Sequence, residues 1–383
     1  MTLIGNWNYP SSVKFGAGRL DEIADHARAT GMARPLLVTD NGLAANPMVT
    51  RALELLRAAG LAAELFADVK SNPVGANVEA GVTAYRDGRH DGVVAMGGGS
   101  ALDVGKVVAF MAGQSRPLWD FEDVDDWWTR ADPAGIAPVV AIPTTSGTGS
   151  EVGRAGVITD AATHTKKIIF HPKMMPAVTL CDPVLTLGLP AHLTAATGMD
   201  ALSHCLEAFC ATGFHPMADG IAVEGMRLVK DALLTATRDG GDIGARSRMM
   251  AAAAMGATAF QKGLGGMHAL AHPIGAVFDT HHGLTNAVLM PYVLRFNRSA
   301  IEARIARLAA YLELDGGFDG FLDWILALRR DLGIPHALGA LAVDPAQADT
   351  IAVMAAADPS AGGNPLPFDA AAARQVFDAA MAG

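Results

Sequence analysis

Cysteine, aromatic residues and charge are all scarce in this chain. The three cysteines, Cys181, Cys205 and Cys210, form no Cys-x-x-Cys and cannot all pair. They predict small, buried, reduced thiols and a cytoplasmic setting. Aromatic residues make up 6% of the chain and charged residues 18%. There is no basic block: 29 Lys and Arg stand against 39 Asp and Glu, a net charge of −10. That excludes nucleic acid and anionic membrane surfaces as natural partners. No apolar run reaches the roughly 20 residues of a spanning helix. The best candidate, Met249 to Phe260, ends at Gln261 and Lys262 and reads as a buried helix. Residues 1–10 lack the charged start and long apolar stretch of a signal peptide. Internal repeats and low-complexity tails are also missing; the Pro- and Gly-containing stretch 358–367 reads as a loop. What is abundant is apolar. Hydrophobic residues are 51% of 383, enough for a large core and for two or three domains at roughly 150 residues each.

The first half alternates short β-rich runs with helical stretches. Strands are predicted at 35–39, 62–66, 92–96 and 138–142, and helices at 48–59, 75–88 and 100–112. That alternation implies βαβ units and a parallel sheet. Residues 115–137, with Trp119, Trp127, Trp128 and several acids, read as a surface excursion. Near Leu187-Gly188-Leu189-Pro190 the character changes. Apolar residues then recur at helical spacing over 191–211, 216–237, 244–262, 266–278, 284–297, 299–313 and 318–332. The expected organisation is an α/β domain over 1–187 and an all-α domain over 188–383.

Residues 97–106, GGGSALDVGK, follow a predicted strand and open a predicted helix. Backbone N–H groups and the helix dipole can hold a phosphate there. The usual fingerprints fail. Gly-x-Gly-x-x-Gly would need glycine where Leu102 stands, and a P-loop would need glycine at Ser100 and a hydroxyl at Val107. A tight turn without a ligand would look the same. A second segment, 142–151 (IPTTSGTGSE), again follows a strand and offers small hydroxyls. Two such segments on neighbouring parallel strands fit a dinucleotide at the sheet's carboxyl edge. Asp40, at the end of the first strand, sits where a carboxylate would hold ribose hydroxyls and repel a 2′-phosphate, favouring NAD. The same residue also suits a turn or a cap.

Six of the twelve histidines lie between residues 204 and 282. Asp200 and His204 are i,i+4 and share a helix face, and His268 and His272 repeat that spacing. His281 and His282 follow a short loop. Any one of them alone would be an ordinary histidine. Together, imidazoles and a carboxylate suit Fe²⁺ or Zn²⁺, and without a thiol at ligand spacing a catalytic metal is the better reading.

GGGSALDVGK, IPTTSGTGSEV, GMDALSHCLEAF, GLGGMHALAHPIGA and HHGLTNAVLMPY stand in order along the chain. They resemble the iron-containing (group III) alcohol dehydrogenases, the branch of lactaldehyde reductase and 1,3-propanediol dehydrogenase. The resemblance runs from FGAG at 15–18 to the last helices. It implies a dehydroquinate synthase-like fold, with an N-terminal nucleotide-binding α/β domain and a C-terminal helical domain for metal and catalysis. It implies Asp200, His204, His268 and His282 as metal ligands. His282 is preferred to His281 because His-Gly-x-x-Asn is matched by His282, Gly283 and Asn286. His272 matches a histidine near the metal that is not a ligand, and it is the candidate proton relay. NAD contacts are implied for Asp40, Asn72, Gly98, Gly99, Ser100, Asp103, Thr144, Thr145, Thr148 and Lys166, with Lys167 next door.

The implied activity is hydride transfer between NAD(H) and a small primary alcohol or aldehyde, with the metal as Lewis acid. One departure favours an alternative. Arg154, after Ser150-Glu151-Val152-Gly153, would suit a substrate carboxylate if it faced inward, as for 4-hydroxybutyrate or succinic semialdehyde, but the reading put first is an outward-pointing, ordinary surface arginine. A non-redox lyase of the same fold and a non-catalytic sensor rank lower. His281 is either an aid to the site or simply exposed. A homodimer or higher homo-oligomer is expected, with Trp7 and Tyr9 as a segment able to pair across it.

Overall fold

The computed structural model describes the backbone of residues 5–7 and all of residues 12–383. Tyr9 lies outside the described residues. The chain forms two compact units, one of residues 1–145 and 149–187, the other of 146–148 and 188–383.

The first unit is built on a sheet of seven described strands. They are β1 (Gly5–Trp7), β2 (Ser12–Phe15), β3 (Pro35–Val38), β4 (Glu64–Phe66), β5 (Gly92–Gly97), β6 (Val139–Pro143) and β9 (Val178–Cys181), in the order β1-β2-β9-β6-β5-β3-β4. All neighbours are parallel except the antiparallel pair β1–β2. Helices cover both faces, so the inner strands are continuously apolar. Leu37, Val94, Met96, Val140 and Ile142 face α1 (Ile23–Ala29) and α2 (Pro47–Ala58). Leu36, Val38, Val93, Ala95 and Val139 face α3 (Gly75–Asp87) and α4 (Gly99–Met111). The chain runs from β3 outward to β4, then returns past β3 to β5. The carboxyl ends of β3 and β5 therefore flank the point where the winding reverses. In such sheets that is where a nucleotide binds.

A hairpin, β7 (Ala155–Asp160) with β8 (Thr165–Phe170), packs on α4 from outside the main sheet. This explains why α4 is apolar on every side: Gly156 lies so close that a Cβ there would meet Val107 at 2.5 Å. Residues 115–137 correct the expectation of a surface excursion. They form three short 3₁₀ turns whose Leu118, Phe121 and Ala131 are buried in the α4 core.

The second unit is helical throughout: α5 (Ala191–Cys210), α6 (Pro216–Arg238), α7 (Ile243–Ala259), α8 (Gly266–Phe278), α9 (His282–Tyr311), α10 (Gly317–Asp331), α11 (Ala348–Ala357) and α12 (Ala370–Ala382). The expected helices 284–297 and 299–313 are one continuous helix, α9, which runs through Pro291. Small residues set the spacing of α5, α6 and α7. A Cβ at Gly198 would meet Leu233 at 2.2 Å, and one at Gly225 would meet Cys205 Sγ at 2.6 Å. The abundance of alanine thus serves close helix packing, with Ala201, Ala208, Ala222, Ala252 and Ala259 fully buried. None of the described helices is long and apolar enough to cross a membrane. The three cysteines are free; Cys181 and Cys205 are buried and Cys210 is half-buried.

Candidate metal centre and nucleotide edge

In the helical unit, α5 places Asp200 and His204 on one face, one turn apart. His268 comes from the first turn of α8, and His282 is the first residue of α9. One donor atom from each of these four residues lies within 4.8 Å of all the others. Asp200, His204 and His268 are buried and His282 is half-buried. Gly283 makes the meeting possible. A Cβ there would stand 2.4 Å from Ala196 O and 2.9 Å from Asp200 Cβ, so only glycine lets α9 start against α5.

Asn286, one turn after His282, is fully buried at the centre of this group. Its amide nitrogen lies 3.0 Å from Asp200 Oδ1, 3.2 Å from His268 Nε2 and 3.1 Å from His282 Nε2. Asn286 thus brings a carboxylate oxygen and two ring nitrogens of the group to a single point. Three imidazoles and a carboxylate gathered in this way fit a divalent Fe²⁺ or Zn²⁺ ion.

Glu207, also on α5, was missed by histidine spacing. Its Oε1 accepts from the Met267 amide at 2.7 Å, and its Oε2 lies 2.6 Å from His268 Nδ1. Burial alone would lower the basicity of His268, but the Glu207 hydrogen bond and charge outweigh it, so its pKa is raised. Burial holds the His204 imidazole down to about 4, so it is neutral at ordinary pH. His272 lies beside the cluster. Its ring stacks on His282 at a centroid distance of 5.5 Å, and its Nδ1 is 2.8 Å from Asp358 Oδ2. Burial would raise the Asp358 carboxyl, yet the neighbouring His272 holds it below its usual value. His281 is exposed and caps α9, accepting from the Leu284 amide through Nδ1 at 3.3 Å.

In the α/β unit, Asp40 and the glycine turn adjoin. A Cβ on Gly97, whose φ is 148°, would stand 3.2 Å from Asp40 Oδ2. Burial pushes the Asp40 carboxyl upward, against hydrogen bonds from the Leu43 and Gly42 amides. Gly98 caps α4 without a side chain, leaving the helix's first turn to Gly99 and Ser100. The Thr144 amide donates to Gly97 O at 3.0 Å, and Thr145 stands over Gly98. Asn72 Oδ1 accepts from Lys166 Nζ at 2.9 Å. Lys167 points the other way, to Glu122 at 3.2 Å and Asp160 at 3.3 Å, because neighbours in a strand face opposite sides. Asp103 is held by its own unit: Oδ1 accepts from Ser150 Oγ and lies 3.3 Å from Lys106 Nζ, and Oδ2 accepts from the Val157 amide at 3.0 Å. Thr148 belongs to the helical unit, where a Cβ on its neighbour Gly147 would meet Thr197. Arg154 is exposed, with its guanidinium 5.5 Å from the centre of the Phe170 ring.

The hydroxyl-rich segment ends in a buried acid. Burial raises the Glu151 carboxyl to about 7, despite the charge of Lys106. Its folded-state pKa thus lies above the unfolded value, so the folded state binds more protons between about pH 4.5 and 7. Stability from this group is present below the unfolded pKa and falls as pH rises through the folded one. Glu151→Gln is therefore expected to flatten the curve, gaining on the order of 3 kcal/mol relative to wild type between about pH 4 and pH 8. Urea midpoints at the two pH values check this; equal losses in both proteins would contradict it.

A doubly wound sheet with a glycine turn at its switch point, and a helical unit with a histidine–carboxylate cluster, define a dinucleotide- and metal-dependent oxidoreductase. The chain belongs to the iron-containing alcohol dehydrogenase family: residues 10–183 match that family, and residues 194–381 match the family of its C-terminal domain. The family is iron-dependent and NAD-binding. The chain is 39% identical over 383 residues to a 4-hydroxybutyrate dehydrogenase of Cupriavidus necator, covering 97% of this chain and 99% of that protein. It is similar in structure to a 1,3-propanediol oxidoreductase, with TM-score 0.92 and 33% identity over 100% of both chains. A sulfoacetaldehyde reductase of Bifidobacterium kashiwanohense, solved in complex with NAD+, aligns with TM-score 0.87 and 28% identity over 99% of this chain and 98% of that one.

Proposed function

We propose that the protein transfers hydride reversibly between NAD(H) and a small primary alcohol or aldehyde, with Fe²⁺ held by Asp200, His204, His268 and His282. The observation that carries this is the four-donor group, in which one ligand atom from each of Asp200, His204, His268 and His282 lies within 4.8 Å of all the others. When bound, a divalent ion supplies Lewis acidity toward an alcohol or carbonyl oxygen. The same donors accept Zn²⁺. The Asp358 carboxylate keeps His272 Nδ1 engaged, so Nε2 is the atom that takes or returns the substrate proton.

In the α/β unit, the free first turn of α4 at Gly98, Gly99 and Ser100 suits the pyrophosphate. Asp40 suits the adenosine ribose, and its charge disfavours a 2′-phosphate. Asn72, Lys166, Thr144 and Thr145 supply the remaining polar contacts to NAD from this unit, and Thr148 is carried as an NAD contact on the family resemblance alone. Asp103 serves through Ser150, since its oxygens are already engaged. Residues 1–187 form the NAD-binding domain in this reading, and 188–383 the metal-binding one. The protein works in the cytoplasm, in keeping with its free cysteines, and as a homodimer or larger homo-oligomer.

A second reading, a short hydroxy acid or its semialdehyde as substrate, is favoured by the 39% identity to a 4-hydroxybutyrate dehydrogenase. Anaerobic reconstitution with Fe²⁺ and a comparison of 1,3-propanediol with 4-hydroxybutyrate separates the two. The first reading predicts NADH formation with kcat/KM at least roughly tenfold higher for the neutral diol, about 1.4 kcal/mol in the transition state. The reverse preference, lost in Arg154→Ala, would establish the second. NADH formation with neither, nor with any other small alcohol, would overturn both.

A further inference from the structure

Resting on the metal-centre reading above, we propose that Glu207 is a positioning residue for the metal. It fixes the tautomer of His268 so that Nε2, the nitrogen facing the cluster, carries the free lone pair.

Glu207 stands in the last turn of α5, three residues after His204 and seven after Asp200. A carboxylate at the C-terminal end of its own helix is unfavourable, because the dipole there is negative. It is also 4% exposed, and a buried acid needs full compensation. The compensation comes from α8. That helix begins after Gly265, which has no side chain to cap it. Two side chains from elsewhere take over. Asn364 Oδ1 accepts from the Gly266 amide at 3.1 Å, and Glu207 Oε1 accepts from the Met267 amide at 2.7 Å. Gly265 leaves room for this, since a Cβ there would crowd Glu207 Oε1 at 3.0 Å. One carboxylate oxygen is thereby spent on capping. The other, Oε2, lies 2.6 Å from His268 Nδ1.

An ionised carboxylate can only accept, so Nδ1 must donate. The imidazole proton then sits on Nδ1, and Nε2 is bare. Nε2 is the atom within 3.2 Å of the Asn286 amide at the centre of the donor group. A carboxylate behind a ligating imidazole also increases its donor strength. Both oxygens thus do separate work. One builds the helix that carries His268, and the other selects the nitrogen that faces the ion.

Glu207→Gln separates these two jobs. The Gln carbonyl oxygen keeps the cap on the Met267 amide. The amide nitrogen then faces His268 Nδ1 and donates to it, forcing the proton onto Nε2, where it blocks ligation. The test titrates the full-length protein with Co²⁺ alone, following visible d–d absorption and competition with a chromophoric chelator, with His268→Ala alongside. The expected result is Co²⁺ affinity weakened about 10- to 100-fold in Glu207→Gln, with unchanged helical circular dichroism and NADH binding. Equal affinity in wild type and Glu207→Gln would overturn the proposal and leave the metal reading intact. Failure of wild type itself to bind Co²⁺ at one per chain would overturn the metal reading and this proposal with it.

A measurement on unmutated protein covers the case in which Glu207→Gln does not fold. Long-range ¹H–¹⁵N spectra of the Zn²⁺-loaded, ¹⁵N-histidine-labelled protein should show His268 protonated at Nδ1. A proton on Nε2, with Nδ1 toward the metal, would contradict the assignment.

Discussion

With His268 replaced by alanine, the protein is expected to purify with little metal and to lose NADH-forming activity by about three orders of magnitude. His268 supplies one of four donors, and it is 1% exposed, so water cannot readily take its place. Its loss also strips Glu207 Oε2 of its partner in a buried site, a cost of roughly 1–3 kcal/mol or more. A thousandfold loss corresponds to about 4 kcal/mol of transition-state stabilisation, the scale of a Lewis acid. His272→Ala is the informative companion. Its Nδ1 faces Asp358, away from the cluster, so this variant should keep one metal per chain while losing rate by a factor on the order of 10². Metal analysis and steady-state kinetics on the same samples check both. Full metal content in His268→Ala would contradict the assignment of the ligand.

The second large effect is expected at a residue with no chemistry of its own. Gly283→Ala places a Cβ 2.4 Å from Ala196 O and 2.9 Å from Asp200 Cβ. The first of these is helix backbone, which cannot step aside cheaply. At an exposed helix position, glycine to alanine would stabilise by about 1 kcal/mol. Here the start of α9 must move away from α5 instead, taking His282 and Asn286 with it. The expected outcome is a loss of about 1–3 kcal/mol and Co²⁺ affinity reduced by more than roughly tenfold, since ligand geometry tolerates little displacement. The sign alone is decisive. Thermal denaturation showing a stabilised Gly283→Ala, with full metal content, would contradict the packing argument.

Much of the sheet could be read from the chain because parallel strands buried on both faces are continuous apolar runs. Gly92–Gly97 and Val139–Pro143 are of that kind. The hairpin 155–170 could not be read the same way. Its β8 is Thr165-Lys166-Lys167-Ile168-Ile169-Phe170, half polar, and the hairpin is a strand pair because α4 gives it an apolar surface to lie on. Residues 115–137 misled for a related reason. Their acids and tryptophans suggest solvent, yet Leu118 and Phe121 anchor the segment in the α4 core. The expected break between 297 and 299 is absent because α9 packs as one helix against α5, α8 and α10.

Of the four candidate donors, Asp200 and His204 were visible as an i,i+4 pair and His268 through the same spacing to His272, purely local signals, whereas His282 was chosen over His281 through the family resemblance. Glu207 was within reach of the same reasoning, because Asp200, His204 and Glu207 follow one helix face at spacings of four and three. Asn286, four after His282, likewise shares its face. Asp358 was not legible, since it meets His272 across 86 residues and no spacing rule connects them. The choice between Lys166 and Lys167 needed the hairpin, which decides which neighbour faces Asn72.

The proposed chemistry centres on one ion held by Asp200, His204, His268 and His282. An anomalous difference map at the iron edge, from crystals of the full-length protein loaded anaerobically with Fe²⁺, tests that directly. One peak is predicted among these four side chains, with His268 bound through Nε2 and with His272 and His281 outside the ligand set. A peak that includes His272 or His281 in place of one of the four, or that lies elsewhere in the protein, would contradict it.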